Sequence, residues 1–100
     1  MDKSPASNQV TLEDALKIAN THLKSGNLYV AEATYNDVLK IYPDNAEAYF
    51  GLGLTSYYKG SLHDSVAFYK KSLEINPDSA PCLNTCGIAL AALGQHEEAI

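Results

Sequence analysis

The two cysteines and three histidines of this sequence are candidates for metal ligation or nucleophilic chemistry. Cys82 and Cys86 lie four positions apart, so on a helix both thiols would share one face. A tetrahedral zinc site needs four ligands, and no other cysteine or histidine stands near this pair at ligand spacing. His22, His63 and His96 are scattered along the chain, with no serine or cysteine arranged beside them in a triad motif. The sequence therefore predicts no catalytic residue, no metal site and no cofactor.

Composition bounds the class of protein. One hundred residues, 46% apolar and 19% charged, are typical of one small globular domain. The net charge is −5, and the chain contains no arginine, which disfavours nucleic acid and anionic membranes as partners. No stretch of 18 apolar residues and no signal peptide is present, so a cytoplasmic location is expected. Residues 1–10 are predicted to form a flexible leader before a domain at 11–100.

An internal repeat organises the rest of the chain. Gly26, Gly60 and Gly94 follow one another at intervals of 34 residues, and Pro43 and Pro77 keep the same spacing. The first two copies carry identical residues at ten positions. A period in this range is typical of repeat architectures. The copies are residues 12–45, residues 46–79 and an incomplete third copy at 80–100.

Each copy is predicted to contain two helices separated by a glycine. Gly60 suits the left-handed end of the first helix because it has no Cβ. Ser61 then stands at the N-cap of the second helix, with Asp64 three residues on, a variant of the capping box. Thr11 and Asp14 repeat this arrangement at the start of the first copy.

The same rule predicts that Gly94 ends the first helix of the third copy. Residues 95–100 would then form the first turn of a second helix, with roughly a dozen residues missing. Repeat arrays normally end in a helix with a polar outer face, and "AALGQHEEAI" carries none. We therefore expect either that the chain is the N-terminal piece of a longer protein or that another molecule covers the third copy.

The residues at the repeated positions match the pattern of a known family. The chain resembles tetratricopeptide repeats over residues 12–100, with small and aromatic residues at the family's packing positions. This resemblance implies an all-α, right-handed solenoid of antiparallel helix pairs, in which the first helix of each repeat lines a concave groove. In the second copy the matching residues are Tyr49, Leu52, Gly53, Ser56, Ser65, Tyr69 and Pro77.

One arc of the first helices is predicted to face that groove. In the second copy this arc is rich in aromatic residues, and exposed aromatic patches often mark recognition surfaces. Two alternatives stay open: the tyrosines pack against neighbouring repeats, and the asparagines are ordinary solvated residues. The predicted partner-binding residues are Leu16, Asn20, Leu23, Phe50, Leu54, Tyr57, Tyr58, Asn84 and Ile88.

The predicted function is protein–protein interaction, in which a peptide segment of a partner binds in the concave groove of a non-enzymatic scaffold. The apolar side chains would anchor the peptide, and the asparagines would orient its backbone by hydrogen bonds. One alternative is that the repeats present substrate as the N-terminal region of a longer enzyme, such as a glycosyltransferase or methyltransferase. Another is a self-assembly scaffold, a homo-oligomer formed through the incomplete third repeat.

Overall fold

The fold is a row of helices, seen in a computed structural model that describes the backbone of residues 11–99 and the side chains of residues 11–94. The predicted leader at 1–10 lies outside these described residues. Each helix packs against the next along the chain, and the first also contacts the third. The helices are α1 (Leu12–Lys24), α2 (Leu28–Ile41), α3 (Ala46–Tyr58), α4 (Leu62–Ile75) and α5 (Ala80–Ala99).

The predicted all-α repeat solenoid is confirmed, since α1 pairs with α2 and α3 pairs with α4 across short turns. The two turns have the same cause. Gly26 has a φ of 84° and Gly60 a φ of 86°, the left-handed region that favours glycine. Beyond them, the Asn27 amide donates to the His22 carbonyl and the Ser61 amide to the Ser56 carbonyl, both at 2.9 Å. These bonds satisfy carbonyls that a helix end leaves without partners.

The predicted N-caps are confirmed at one helix and wrong at another. The Asp14 amide donates to Thr11 Oγ1 at 3.1 Å, as the sequence predicts. Ser61 makes no side-chain cap bond to α4. The backbone explains the difference: Thr11 is extended with a ψ of 164°, whereas Ser61 leaves the glycine turn with a ψ of 76°. An N-cap side chain reaches the helix amides most readily from an extended backbone.

The predicted helix end at Gly94 is wrong. Helix α5 continues through this residue to Ala99, and Gly94 does not adopt the left-handed conformation of the two earlier glycines. The next residues account for this outcome. Gly26 and Gly60 precede Asn27 and Ser61, which favour helix starts, whereas Gly94 precedes a run of good helix formers. The expected second helix of the third copy is therefore absent from the described residues.

Two tyrosines of the second helices hold neighbouring helices together by packing onto glycines of α3. Tyr35 and Tyr69 are almost completely buried. A Cβ atom on Gly51 would overlap the ring of Tyr35, and one on Gly53 would overlap the ring of Tyr69. Helix α3 thus receives one ring from α2 and one from α4, and Gly53 permits the close approach of α4.

Two apolar clusters surround these rings, one between α1, α2 and α3 and one between α4 and α5. Buried hydroxyls complete the contact between α3 and α4. Ser65 Oγ donates to the Gly53 carbonyl and Ser72 Oγ to the Ala46 carbonyl, both at 2.8 Å. Within the described residues, every buried side-chain nitrogen and oxygen has a hydrogen-bond partner. Small polar residues can therefore occupy core positions, because none of their buried polar groups is left without a hydrogen bond.

We expect Gly53→Ala to destabilise the protein by about 1–3 kcal/mol, because the added methyl group must displace the Tyr69 ring from a packed core. Gly87→Ala is the matched control. This glycine also lies in a helix, and a Cβ there meets no atom within 4 Å. Its substitution should stabilise by about 0.5–1 kcal/mol through the helix propensity of alanine. Urea denaturation of both variants measures the two effects, and equal shifts would contradict the packing argument.

Candidate functional site

A cleft with a volume of about 760 Å³ lies between α1 and α3. Its wall is mostly apolar, with Leu23 from α1 and Leu28 from the start of α2 on one side. Phe50, Leu54 and Tyr58 of α3 form the other side. Because these helices are the first helices of adjacent repeats, this larger cleft lies on the face where the sequence predicts the groove.

A second, smaller apolar cavity of about 170 Å³ continues this surface between α3 and α5. Leu54 and Tyr58 line both cavities. The two cavities differ at one repeat position. Gly51 lines the larger cleft, and Thr85, which stands 34 residues later, lines the smaller cavity. At Gly51 the Tyr35 ring lies where a Cβ atom would stand.

The structure brings most of the predicted partner-binding residues to this surface. Leu23, Phe50, Leu54 and Tyr58 line the larger cleft, together with Asn20. The smaller cavity includes Tyr57, Leu54, Tyr58 and Ile88.

Two predicted residues stand apart from these cavities. Leu16 is 7% exposed and belongs to the core between α1, α2 and α3. Asn84 is exposed and lines none of the cavities described here. Neither therefore forms part of the cleft wall.

The aromatic residues of α3 divide between packing and exposure. Phe50 is half-buried and packs against Tyr69 in a tilted arrangement, with 6.0 Å between ring centroids, so it supports the core as well as the cleft. Tyr57 is also half-buried and packs on the cluster between α4 and α5. Tyr58 meets Tyr57 edge to face at 5.8 Å and remains 63% exposed. It is therefore the aromatic residue of the cleft that is freest to contact another molecule.

Asn20 is held in a fixed orientation at the polar end of the cleft. The Tyr35 hydroxyl donates a hydrogen bond to Asn20 Oδ1, which leaves the amide nitrogen directed at Glu47, with Nδ2 3.5 Å from Oε2. Burial raises the pKa of Tyr35 to about 12, and the negative charge of Glu47 adds to this effect. The hydroxyl thus remains a proton donor at neutral pH, and the second amide hydrogen of Asn20 is available to an acceptor.

Some residues of the cleft were missed by the sequence analysis. Leu28 belongs to a second helix, which the groove prediction did not consider, although its repetition as Leu62 is a visible signal. Glu47 and Lys24 lie on first helices and line the cleft, but they are not among the predicted binding residues. The predicted binding residues include only apolar, aromatic and amide side chains, so charged residues were left out.

The cysteine pair is part of the core. Cys82 and Cys86 are both buried as free thiols in the cluster between α4 and α5. Burial raises the pKa of Cys82, which disfavours the thiolate that a metal ion or a nucleophilic step requires. Among the residues that the structure describes, no three cysteine, histidine or acidic side chains cluster at metal-binding distance.

No helix in the described part of the chain combines the length and apolar character needed to cross a membrane. The architecture is instead that of a helical repeat protein with an open apolar cleft on the side of its first helices.

Comparison with known families identifies which repeat this is. A tetratricopeptide-repeat model matches residues 16–80, and another model with the same description matches residues 68–100. The chain therefore belongs to the tetratricopeptide-repeat family. Such repeats are generally protein–protein interaction modules, and the proteins that carry them are typically non-enzymatic scaffolds.

Two relatives resemble the chain along most of its length. It is 35% identical over 80 residues to a protein described as "Protein CTR9 homolog" from Arabidopsis thaliana, covering 77% of this chain. It is 28% identical over 87 residues to human "Tetratricopeptide repeat protein 7A", covering 86% of this chain. The chain spans only 7% and 10% of the length of these two proteins.

The buried Tyr35 proton makes a testable contribution to stability at alkaline pH. The folded protein holds this proton more tightly than the unfolded chain, because the pKa rises from 10.0 to about 12. The stabilisation is therefore complete below pH 10 and is lost as the pH rises from 10 to about 12. Tyr35→Phe should make the free energy of unfolding fall less steeply over this range, as measured by urea denaturation. A slope in Tyr35→Phe equal to that of the wild type would contradict this contribution.

Proposed function

We propose that this protein binds a peptide segment of a partner protein in the cleft between α1 and α3. The observation that carries the proposal is the apolar wall of that cleft, formed by half-buried and exposed side chains of two adjacent first helices. Apolar side chains that stay in contact with water gain free energy when a partner covers them, at about 25 cal/mol per Å². A volume of about 760 Å³ exceeds that of one side chain, so the cleft suits several consecutive residues.

Polar groups in the same cleft would position the backbone of the bound segment. Asn20 has its carbonyl oxygen occupied by Tyr35, and its amide nitrogen points along the cleft wall toward Glu47. An amide hydrogen fixed in this way can donate to a peptide carbonyl without first losing side-chain freedom, which reduces the entropic cost of binding. We place this interaction in the cytoplasm, where buried free thiols such as Cys82 remain reduced.

Tyr58 provides the direct test, since its exposed ring can be removed without opening the core. Octapeptides selected from a random display library against the wild-type protein supply the ligand. We expect Tyr58→Ala to weaken binding of the most enriched peptide at least about fivefold, the effect of losing an interface aromatic worth more than 1 kcal/mol. Fluorescence anisotropy measures the dissociation constants, and circular dichroism verifies that each variant is folded.

Tyr29 is the matched control for this experiment. It is 78% exposed, lies on α2 and lines neither the larger cleft nor the smaller cavity. Its ring contacts Lys59 in a cation–π pair at 4.7 Å, so Tyr29→Ala also removes an aromatic surface contact. Binding should be unchanged in Tyr29→Ala. Equal losses in the two variants, or none in Tyr58→Ala, would show that the cleft is not the binding site.

Self-assembly is a second candidate function, favoured by the exposed apolar residues of α5. Leu83 and Leu90 lie on one side of this helix and are 52% and 45% exposed. If this face joins two copies of the chain, the protein should form a concentration-dependent dimer in sedimentation equilibrium. The double variant Leu83→Lys/Leu90→Lys should then be monomeric, whereas a wild-type monomer at all concentrations would exclude this function.

A further inference from the structure

We propose that the segment bound in the larger cleft carries a lysine or arginine close to its apolar anchor, and that Glu47 is the residue that selects it. This inference rests on the proposed peptide-binding function and adds the chemical class of the partner. The apolar wall of the larger cleft would bind the apolar anchor, and the Glu47 carboxylate at the end of this wall would bind the basic residue. These two contacts together would define the preferred peptide sequence.

Glu47 occupies the boundary between two open spaces. It lines the larger cleft and also a neighbouring cleft of about 470 Å³, formed mainly by polar residues of α1. Asn20 and Lys24 line both spaces as well. A segment that leaves the apolar wall of the larger cleft toward the start of α3 therefore passes the Glu47 carboxylate.

The Glu47 carboxylate retains capacity to bind a cation. Within the described residues its hydrogen-bond partner is the Asn20 amide, at the long distance of 3.5 Å. Glu32 provides the contrast, because Lys59 Nζ lies 2.9 Å from its Oε1. The other ion pairs between described residues, on α2 and α4, do not involve Glu47. An ionised carboxylate accepts about four hydrogen bonds, so most of its lone pairs are open to a partner.

The surrounding charge favours a basic segment over an acidic one. The neighbouring cleft carries three carboxylates against two lysines, and the net charge of the chain is −5. A positively charged segment would be attracted along this surface, whereas an acidic segment would meet like charges. The residues concerned are Glu13, Asp14 and Glu47, with Lys17 and Lys24.

Helix geometry sets the spacing within the segment. Phe50 and Leu54 follow Glu47 by three and seven positions along α3. These offsets correspond to about 4.5 Å and about 10.5 Å along the helix axis. An extended peptide advances about 3.3 Å per residue. The basic residue should therefore lie one to three positions from the apolar anchor.

Display selection followed by a charge substitution tests this inference. Octapeptides enriched by the wild-type protein, and lost with Tyr58→Ala, should carry lysine or arginine one to three positions from an apolar residue. For the most enriched peptide, Glu47→Gln should raise the dissociation constant about two- to fivefold at low salt, the range for an exposed ion pair. The difference should shrink in about 1 M salt, where the Debye length is about 3 Å.

Two controls isolate the pair. Glu74→Gln makes the same change in net charge on α4, outside the cleft, and should leave the affinity unchanged. A version of the peptide with glutamine in place of its basic residue should bind the wild-type protein and Glu47→Gln equally. Equal losses in Glu74→Gln and Glu47→Gln would mean that net charge alone acts, and would overturn the inference.

The possible outcomes distinguish the role of Glu47 from the proposed peptide binding on which it rests. Peptides that need Tyr58 but carry no basic residue, or that bind Glu47→Gln as well as the wild type, overturn the role of Glu47 and leave the cleft as the binding site. Peptides that bind Tyr58→Ala normally, or a selection without enrichment, overturn both proposals. Enrichment of acidic peptides or of segments of this chain itself would assign the cleft to a different partner.

Discussion

The arrangement of the helices depends on two tyrosine rings that pack directly on the backbone of α3. Tyr35 and Tyr69 occupy the same position in successive repeats, yet Tyr35 packs on Gly51 of the following repeat and Tyr69 on Gly53 of its own. Both rings require a glycine, because any Cβ at these positions would overlap them. The small residues of α3 therefore set how closely α2 and α4 approach it, and the apolar clusters form around those two contacts.

The same contact shapes the cleft. Gly51 lines the wall of the larger cleft, and Thr85 lines the smaller cavity at the same position one repeat later. The Tyr35 ring lies against this glycine, and its hydroxyl orients Asn20. The core and the cleft wall thus share residues. Substitutions of Tyr35, Gly51 or Phe50 would disturb the fold along with the cleft, whereas Tyr58 and Glu47 contribute mainly exposed surface.

Local sequence signals predicted the regular part of the fold, and the predictions that failed have two different causes. Glycine followed by a capping residue marks the turns at Gly26 and Gly60 correctly, since a left-handed conformation depends on the residue itself. The glycine alone misled at Gly94, where the following residues favour helix. The predicted groove residues include most of the apolar wall of the larger cleft. They also include Leu16, which packs in the core and lines only the neighbouring polar cleft, because a helical arc does not reveal how far a neighbouring helix covers it.

The sequence by itself determined the repeat, the helix pairs and the family, because a 34-residue period and its small and aromatic positions are visible in the order of residues. The tertiary structure decided which of the predicted groove residues are exposed. Burial depends on distances between helices that are far apart in sequence. The packing of the helices places Phe50 and Tyr57 partly in the core and leaves Tyr58 exposed. It also sets Glu47 beside Asn20 from the preceding repeat. The sequence of a single helix does not reveal these distances. The exposure and the contacts of the cleft residues therefore depend on how the helices pack.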